Sequence, residues 1–442
     1  MAKIKREPQV IPDPPYEQVL QRVCAIDVAK DFGQVCIRTP RADSARRVST
    51  VSAVDARTSA ILALGDALLE QGIEMVTLES TSDYWRIFYY LLEASGLTVQ
   101  LVNARDVKNV PGRPKTDVLD CVWLAKLTER GMLRPSFVPP AAIRILRDYT
   151  RTRYDLTHDR TRHWQRLEKL LEDALIKVTA VASKISTASV RDMIDALVRG
   201  EHDPHRLADL ARGRMRSKHR DLVTALDGRF DTHHAELATI LLGQIDSLTH
   251  EIDNLTTRID QLVNDLQTPP PTTGTNPALR TAGQRLADIP GLSTDIAHII
   301  LAEIGTDMTR FATPQHLTAW ARLTPQLKQS GTKRRAGKTG YGNPYLRGVL
   351  STAAASASRG NTFLAERYRR IVKRRGKGKA LIAVARSILT IIWHLLTDPT
   401  TTYHDLGPDY YQTRIDKDRR QRHLVQQLEA LGLHVTLTQT AA

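Results

Sequence analysis

The sequence predicts an α/β domain, then a long helical region, then a second domain that is mostly α-helical. Three observations carry this. Between Val23 and Asn103, short apolar runs alternate with helical stretches, as when strands cross through helices to the next strand. From 141 to 267 strand signals are scarce, and an apolar column recurs at alternating steps of four and three residues. Beyond the linker QTPPPTTGTNP (267–277), amphipathic helical patterns resume from Leu286 to Leu396. At 442 residues the chain can hold two or three such domains, each with its own core.

Residues 1–21 contain Pro8, Pro12, Pro14 and Pro15 and little to bury, so they read as a disordered lead-in. The first domain is expected over 22–140. VCAIDVA (23–29) alternates as a strand, with QVCIRT (34–39) as its hairpin partner. Residues 56–71 are Ala/Leu-rich and helical; MVTLEST (75–81) is a strand, 83–95 a helix and LTVQLVN (97–103) a further strand. Asp117–Arg130 is a helix with Thr116 as its N-cap, and Pro139–Pro140 closes the domain.

The region 141–267 opens with an arginine-rich helix from Arg144 to Val181. Its heptad places Ile245, Ile252 and Ile259 at a, with Leu241, Leu248, Leu255 and Leu262 at d. Those side chains favour a parallel two-stranded coiled coil, hence a dimerisation region. The alternative is an antiparallel hairpin with the 144–181 helix of the same chain. Residues 268–284 form the linker, 285–396 the second domain, and 397–442 a charged tail with one helix near 417–432.

Composition excludes several classes. With 41% hydrophobic and 25% charged residues the chain is globular, and 5% aromatics argue against a surface tiled with base-stacking rings. Cys24, Cys36 and Cys121 make neither a disulfide framework nor a zinc spacing, which suits a reducing cytoplasm. The N-terminus has no apolar run of the signal-peptide kind, and the stretch Ala380–Leu396 is interrupted by Arg386 and His394, so no membrane span is expected. The net charge is +15, of which +14 falls between Lys328 and Lys379. A polyanion partner follows, with a plain solvated basic surface as the alternative.

Four carboxylates stand out by position. Asp27 lies on the first strand and Glu79 at the end of MVTLE; Asp117 and Asp120 share one face of a helix's opening turns. Oxygen donors from neighbouring strand ends and a facing helix suit Mg²⁺, and two such ions can stabilise both oxygens of a phosphoryl transfer. Singly, each acid has a plainer role. Asp117, for example, would gain roughly 0.3–1 kcal/mol from the helix dipole alone.

AIDVAK (25–30), TLEST (77–81) and VPGRPKTDVLDCVWLAKL (110–127) resemble the N-terminal domain of the DEDD transposases of bacterial insertion sequences, the insertion-sequence 110 family related to the Piv invertases. The resemblance implies a ribonuclease H/RuvC-like fold. It puts the catalytic, metal-binding tetrad on Asp27, Glu79, Asp117 and Asp120, with two Mg²⁺ as cofactor and Mn²⁺ as a substitute. Cys121 departs from the small residue, often alanine, of the family pattern.

In the second domain, LADIPGLSTDIAHIILAEIG (286–305) resembles the helix-hairpin-helix half of the family's C-terminal transposase domain. Such a hairpin offers backbone N–H groups to phosphates. Ser293 replaces the usual second glycine, and a purely structural turn is the alternative. Ser330 lies among Lys328, Lys333, Arg334, Arg335 and Lys338, cations that could stabilise a pentavalent phosphate. Serines in basic loops more often simply hydrogen-bond. The family's second signature is similar to Ser330–Gly331, Gly342–Asn343 and Leu346–Arg347, which implies that Ser330 is the nucleophile joined to DNA. Gln329 and Thr332 replace a second serine and a second glycine of that signature. Asn343 and Arg347 either order the loop or contact phosphate; Arg369, Arg370, Lys373, Arg374 and Arg375 read as a phosphate-tracking surface.

The resemblance thus implies a recombinase acting on donor and target DNA, guided by an element-encoded bridge RNA. Its working form would be a homo-oligomer, a dimer or a synaptic tetramer, in the bacterial cytoplasm at the nucleoid. Two rivals stand: a RuvC-like nuclease or junction resolvase that uses water, and a non-enzymatic nucleic-acid scaffold. HWQR (163–166) fits the HxxR of tyrosine recombinases, but such a match arises about once by chance in a chain this rich in His and Arg.

Overall fold

The computed structural model describes residues 19–41, 44–79, 82–103, 117–267, 280–325, 327–330, 333–337, 339–411, 413–414 and 417–437; for 44–45, 117–118, 267, 327–330, 333–336 and 417–420 it describes the backbone alone. The chain divides into two compact units, 1–138 and 139–442.

The first unit is built on a five-stranded mixed sheet. Its strands are β1 (Val23–Val28), β2 (Phe32–Arg41), β3 (Ser44–Asp55), β4 (Met75–Glu79) and β5 (Val99–Val102), in the order β3-β2-β1-β4-β5. β1 to β3 form an antiparallel meander, whereas β4 and β5 join parallel to β1. Parallel neighbours need crossover connections, and helices α1 (Thr58–Glu70) and α2 (Trp85–Ala94) supply them. β3 is not among the strands the sequence predicts.

β1 is buried on both faces, as expected of a strand inside a layered sheet. Cys24, Ile26 and Val28 meet Ile61, Leu68, Phe88 and Leu92 of α1 and α2. Val23 and Ala25 point the other way, toward Cys121, Leu124 and Ala125 of α3 (Asp117–Glu129). Each fully buried Leu, Ile or Phe contributes about 1.5–3 kcal/mol here. Glu129, at the end of α3, pairs with Arg38 of β2 and Arg47 of β3 and fixes that end of the helix to the sheet.

The second unit starts with α4 (Ala141–Asp173), shorter than the expected 144–181 because the chain breaks at Leu175, whose φ is 63°. Four α-helices follow, α5 (Val178–Val181), α6 (Ala188–Val198), α7 (Pro204–Asp209) and α8 (His219–Leu226), with a 3-10 turn at Gly213–Lys218 before the last. With the end of α4 and the start of α9 (Thr232–Gln267) they enclose one apolar cluster around Leu167, Met193, Ile194 and Leu242.

The heptad of α9 is not free for a parallel partner. Arg153 of α4 donates to Thr256 (2.9 Å) and Arg160 to Thr249 (3.2 Å), so the two helices run antiparallel within one chain. Ile245, Ile252 and Ile259 are buried on this seam, but their companion column is Leu242, Thr249, Thr256 and Val263; Leu241, Leu248, Leu255 and Leu262 are half-buried flanks. The parallel two-stranded arrangement on the Ile/Leu seam is therefore replaced by the intrachain hairpin. Arg–Thr layers in its middle fix the register that an all-apolar seam would leave free to slip.

The last part of the unit packs α10 (Ala282–Ala287), α11 (Thr294–Ile304), α12 (Pro314–Trp320), α13 (Pro344–Ala357) and α14 (Phe363–Arg375) around α15 (Lys377–Thr397). A polar hairpin of β6 (Leu327–Ser330) and β7 (Lys333–Ala336) precedes α13, and α16 (Lys417–Ala430) lies in the tail. α15 is long and apolar enough to cross a membrane, longer than the Ala380–Leu396 run because Lys377–Lys379 form its first turn. Its Val384, Ile388, Leu389, Ile392 and Leu395 are spent on the core, and buried Arg285 donates to the carbonyl of Leu395 at its end (2.6 Å).

His298 of α11 faces Asp260 of α9 (3.4 Å) within this core. Burial holds its imidazole below the ordinary pKa, outweighing the opposite pull of Asp260 and Asp295; Arg153 adds to the lowering. The unfolded chain takes up a proton near pH 6.5 that the folded chain resists, so stability falls as pH drops through that value. The thermal midpoint should decline from pH 7.5 to 5.5, with a flatter profile in His298→Gln.

Candidate active site

Strand alternation decides which side chains meet. Val23, Ala25 and Asp27 share the α3 face of β1, and on β4 Thr77 and Glu79 share it, because Val76 and Leu78 point to α1 and α2. β1 and β4 are paired from Val23↔Met75 to Ile26↔Leu78. The same offset carried one residue further sets Asp27 beside Glu79, at the carboxyl ends of two parallel strands. Glu79 is 6% exposed.

α3 runs antiparallel to these strands. Thr128, near its end, donates to Thr77 Oγ1 (2.8 Å), which also accepts from Gln100 (2.7 Å). Eight residues earlier, about 12 Å back along the axis, stands Asp120; two residues forward on β4, about 7 Å, stands Glu79. The opening of α3 therefore lies over the strand ends that carry Asp27 and Glu79. Cys121, one residue after Asp120, packs with Ala25 of β1 and Cys36 of β2 on that face.

Cys121 is fully buried and hydrogen-bonds Cys36 of β2; that bond, burial and Asp27 all push its pKa up. A neutral thiol thus fills the place of a small residue without competing as a ligand. Asp117 begins α3, and its side chain lies outside the described residues. Asp27, Glu79 and Asp120 offer only oxygen atoms and are half-buried to buried, and among the described residues they do not form a cluster at metal-ligand spacing. Oxygen donors are the kind that hard divalent cations take.

In the second unit, Ser330 is the last residue of β6 and pairs with Lys333 across a two-residue connection, so a tight hairpin stands where the sequence reads as a loop. Lys328 pairs with Arg335 and Gln329 with Arg334 in the same ladder. Gly331, Thr332 and Lys338 lie outside the described residues. Asn343 caps α13 by accepting from the Leu346 N–H (3.1 Å), and Arg347 donates to the carbonyls of Gly340 (2.8 Å) and Tyr341 (3.2 Å). Both residues order the loop through contacts within the chain.

The Pro290–Gly291 turn between α10 and α11 packs against α13. A Cβ on Gly291, whose φ is 90°, would lie 2.4 Å from the carbonyl oxygen of Ala353. Ser293, in place of a second glycine, N-caps α11 by accepting from the Ile296 N–H. The turn is thus a packing element. Gly291→Ala should destabilise this unit by about 2–3 kcal/mol, read as a lower midpoint in calorimetry.

On α14, Arg369, Arg370, Lys373, Arg374 and Arg375 are exposed. Arg369 pairs with Glu366 (3.0 Å), while Arg370 stacks on Tyr411 (4.1 Å), whose hydroxyl accepts from Arg367 (3.0 Å). The tail therefore engages Arg367 and Arg370. Asp173, His233 and His234 form the one His/acid cluster with metal-ligand proximity among the described residues. His234 Nδ1 accepts from the Asp231 N–H (3.1 Å), leaving the proton on Nε2, which faces Asp173 (3.3 Å). That tautomer makes His234 a poor ligand, and sequence reading did not single it out.

Two family models match the chain. A DEDD transposase model of the IS110 family covers residues 24–176, and one described as transposase of the IS116/IS110/IS902 family covers 283–369; together they span more than half of the chain. The chain belongs to the IS110 family of transposases. The transposase for insertion sequence element IS1111A of Coxiella burnetii is 24% identical over 403 residues, which cover 86% of this chain and 91% of that relative. In this IS110-family transposase the mixed five-stranded sheet followed by helices fits a ribonuclease H-like domain and then a helical region.

Proposed function

We propose that this transposase cuts and rejoins DNA by metal-assisted phosphoryl transfer, with Ser330 as nucleophile, to move the element that encodes it. The observation that supports the reading is that Asp27 and Glu79 share the sheet face of two parallel strands that α3, the helix bearing Asp120, covers.

Asp27, Glu79, Asp117 and Asp120 would hold two Mg²⁺, for which Mn²⁺ can substitute. Bound there, the ions neutralise the phosphate's charge and stabilise the attacking and leaving oxygens. Asp27 and Glu79 orient the site from neighbouring strands, and burial keeps Glu79 from swinging away. The Ser330 Oγ–phosphorus bond forms as the bond from phosphorus to the deoxyribose oxygen breaks. The hydroxyl proton passes to a nearby base, and the leaving oxygen takes one up. One phosphoester replaces another, so the reverse step rejoins DNA without an external energy source. Lys328, Lys333, Arg334 and Arg335 flank Ser330 in the hairpin and favour the extra negative charge of the pentavalent state. Lys338 extends the same run, and Asn343 and Arg347 hold the loop that follows.

Arg369, Arg370, Lys373, Arg374 and Arg375 would track phosphates of DNA or of a bridge RNA, contacts that do not themselves distinguish the two. The working form would be a dimer, or a tetramer holding donor and target DNA together, at the nucleoid in the bacterial cytoplasm.

The test places the gene with its own flanking DNA on a plasmid in bacterial cells. DNA recovered bound to denatured protein is then quantified. Adduct and excised circles together support the reading; cleaved DNA with no adduct would replace it with a nuclease using water. RNA transcribed from the flanking DNA should co-purify with the protein, and excision in vitro that survives ribonuclease would remove RNA guidance.

A further inference from the structure

Glu303 of α11 is the one charged side chain among the described residues with no exposed surface. A carboxylate is left so deep only when donors surround it, and here they come from two different elements. From α4, Arg151 binds it with both prongs, Nε to Oε1 at 2.8 Å and Nη2 to Oε2 at 2.9 Å. Arg147 of α4 approaches Oε2 at 3.5 Å and donates to the carbonyls of Ala302 (3.0 Å) and Glu303 (2.9 Å). From the loop before α13, the Asn343 side-chain amide donates to Oε2 at 2.5 Å.

Asn343 is therefore used at both ends. Its amide oxygen caps α13 while its amide nitrogen is held by Glu303. Three residues upstream, Gly340 lies 3.1 Å, by its would-be Cβ, from the Arg322 side chain, and Arg347 clasps the carbonyls between. The segment 340–347 is the exit of the β6–β7 hairpin, four residues beyond Ala336. Tyr345 continues the link, donating to Asp155 of α4 (2.9 Å) beneath the Arg151 guanidinium (4.7 Å).

We propose that Glu303 is a positioning residue for strand transfer: through Asn343 it fixes the base of the serine hairpin to helix α4. The proposal rests on the reading of Ser330 as nucleophile. A structural role would be met by any group that satisfies Arg151. A positioning role requires an acceptor aimed at Asn343, and that difference can be tested by reversing the bond.

Glu303→Gln leaves an oxygen for Arg151 but cannot accept two opposed donors at once. Pairing it with Asn343→Asp restores the bond with donor and acceptor exchanged, keeps the cap on α13 and keeps one negative charge in the cluster. Asn343→Ser keeps a cap and removes only the tie to Glu303. The plasmid assay is run with these full-length variants and with Ser330→Ala; thermal midpoint and retention on heparin report folding and polyanion binding. Glu303→Gln and Asn343→Ser should each lower adduct about tenfold or more with heparin retention unchanged, and the exchanged pair should recover most of it. Wild-type adduct in Asn343→Ser overturns the proposal, even where Glu303→Gln does not fold. So does an exchanged pair that folds yet remains as slow as Glu303→Gln. Adduct persisting in Ser330→Ala would instead strike the underlying nucleophile assignment.

Discussion

Ser330→Ala is expected to abolish both the covalent protein–DNA adduct and excised circles while leaving folding and DNA binding unchanged. The substitution removes a single oxygen atom at the end of β6, in a ladder held by backbone hydrogen bonds from Leu327↔Ala336 to Ser330↔Lys333. None of those bonds uses the hydroxyl. The lysines and arginines of the same segment are unchanged in sequence, so affinity for DNA, governed by phosphate contacts, should move little. A water-using nuclease would continue to nick DNA in this variant at close to the wild-type rate. A scaffold would retain its biological output. Only a serine nucleophile ties loss of adduct, loss of excision and intact binding to one atom.

The second large effect is expected at the carboxylates. Asp27→Asn and Glu79→Gln should each slow strand transfer by roughly a thousandfold, since cation stabilisation of such a transition state is worth several kcal/mol and each 1.4 kcal/mol is tenfold. Stability should move in the opposite direction. Without cations, acids gathered on one sheet face repel one another, and Glu79 pays a burial cost besides. In chelator both variants should therefore melt at or above the wild-type temperature. Millimolar Mg²⁺ should raise the wild-type midpoint through preferential binding to the folded chain, and raise the variants' less. Equal responses of wild type and variants to Mg²⁺ would dissociate these acids from the metal.

Much of this was legible in the sequence where burial imposes a pattern. β1, β4 and β5 are apolar runs because both faces of the sheet are covered, and Asp27 and Glu79 stand out as acids at their ends. β3 was not legible: Val48, Val51 and Val54 recur every third residue in an edge strand of Ser, Arg and Thr, so no period of two announces it. The heptad showed that α9 has a packing partner but not which one. Ile and Leu serve a parallel dimer and an antiparallel hairpin alike, and the deciding pairs, Arg153–Thr256 and Arg160–Thr249, sit about a hundred residues apart. Glu303 left no signal at all. Its apolar surroundings read as one face of an amphipathic helix, and its partners Arg151 and Asn343 lie 152 residues before and 40 after it.

The antiparallel pairing of α4 with α9 also makes a measuring rod. One end is anchored in the Leu167–Met193 cluster and the other at Glu303, through Arg147 and Arg151. The twenty residues from Arg147 to Leu167 span about 30 Å of rigid helix. Because its layers repeat every seven residues, deleting seven from each helix would shorten the rod by about 10 Å and keep every layer matched. Deleting four from each would shorten it less but turn the two ends out of phase. A protein of this design can change the span between its two helical clusters, with every layer still matched, only in steps of about 10 Å.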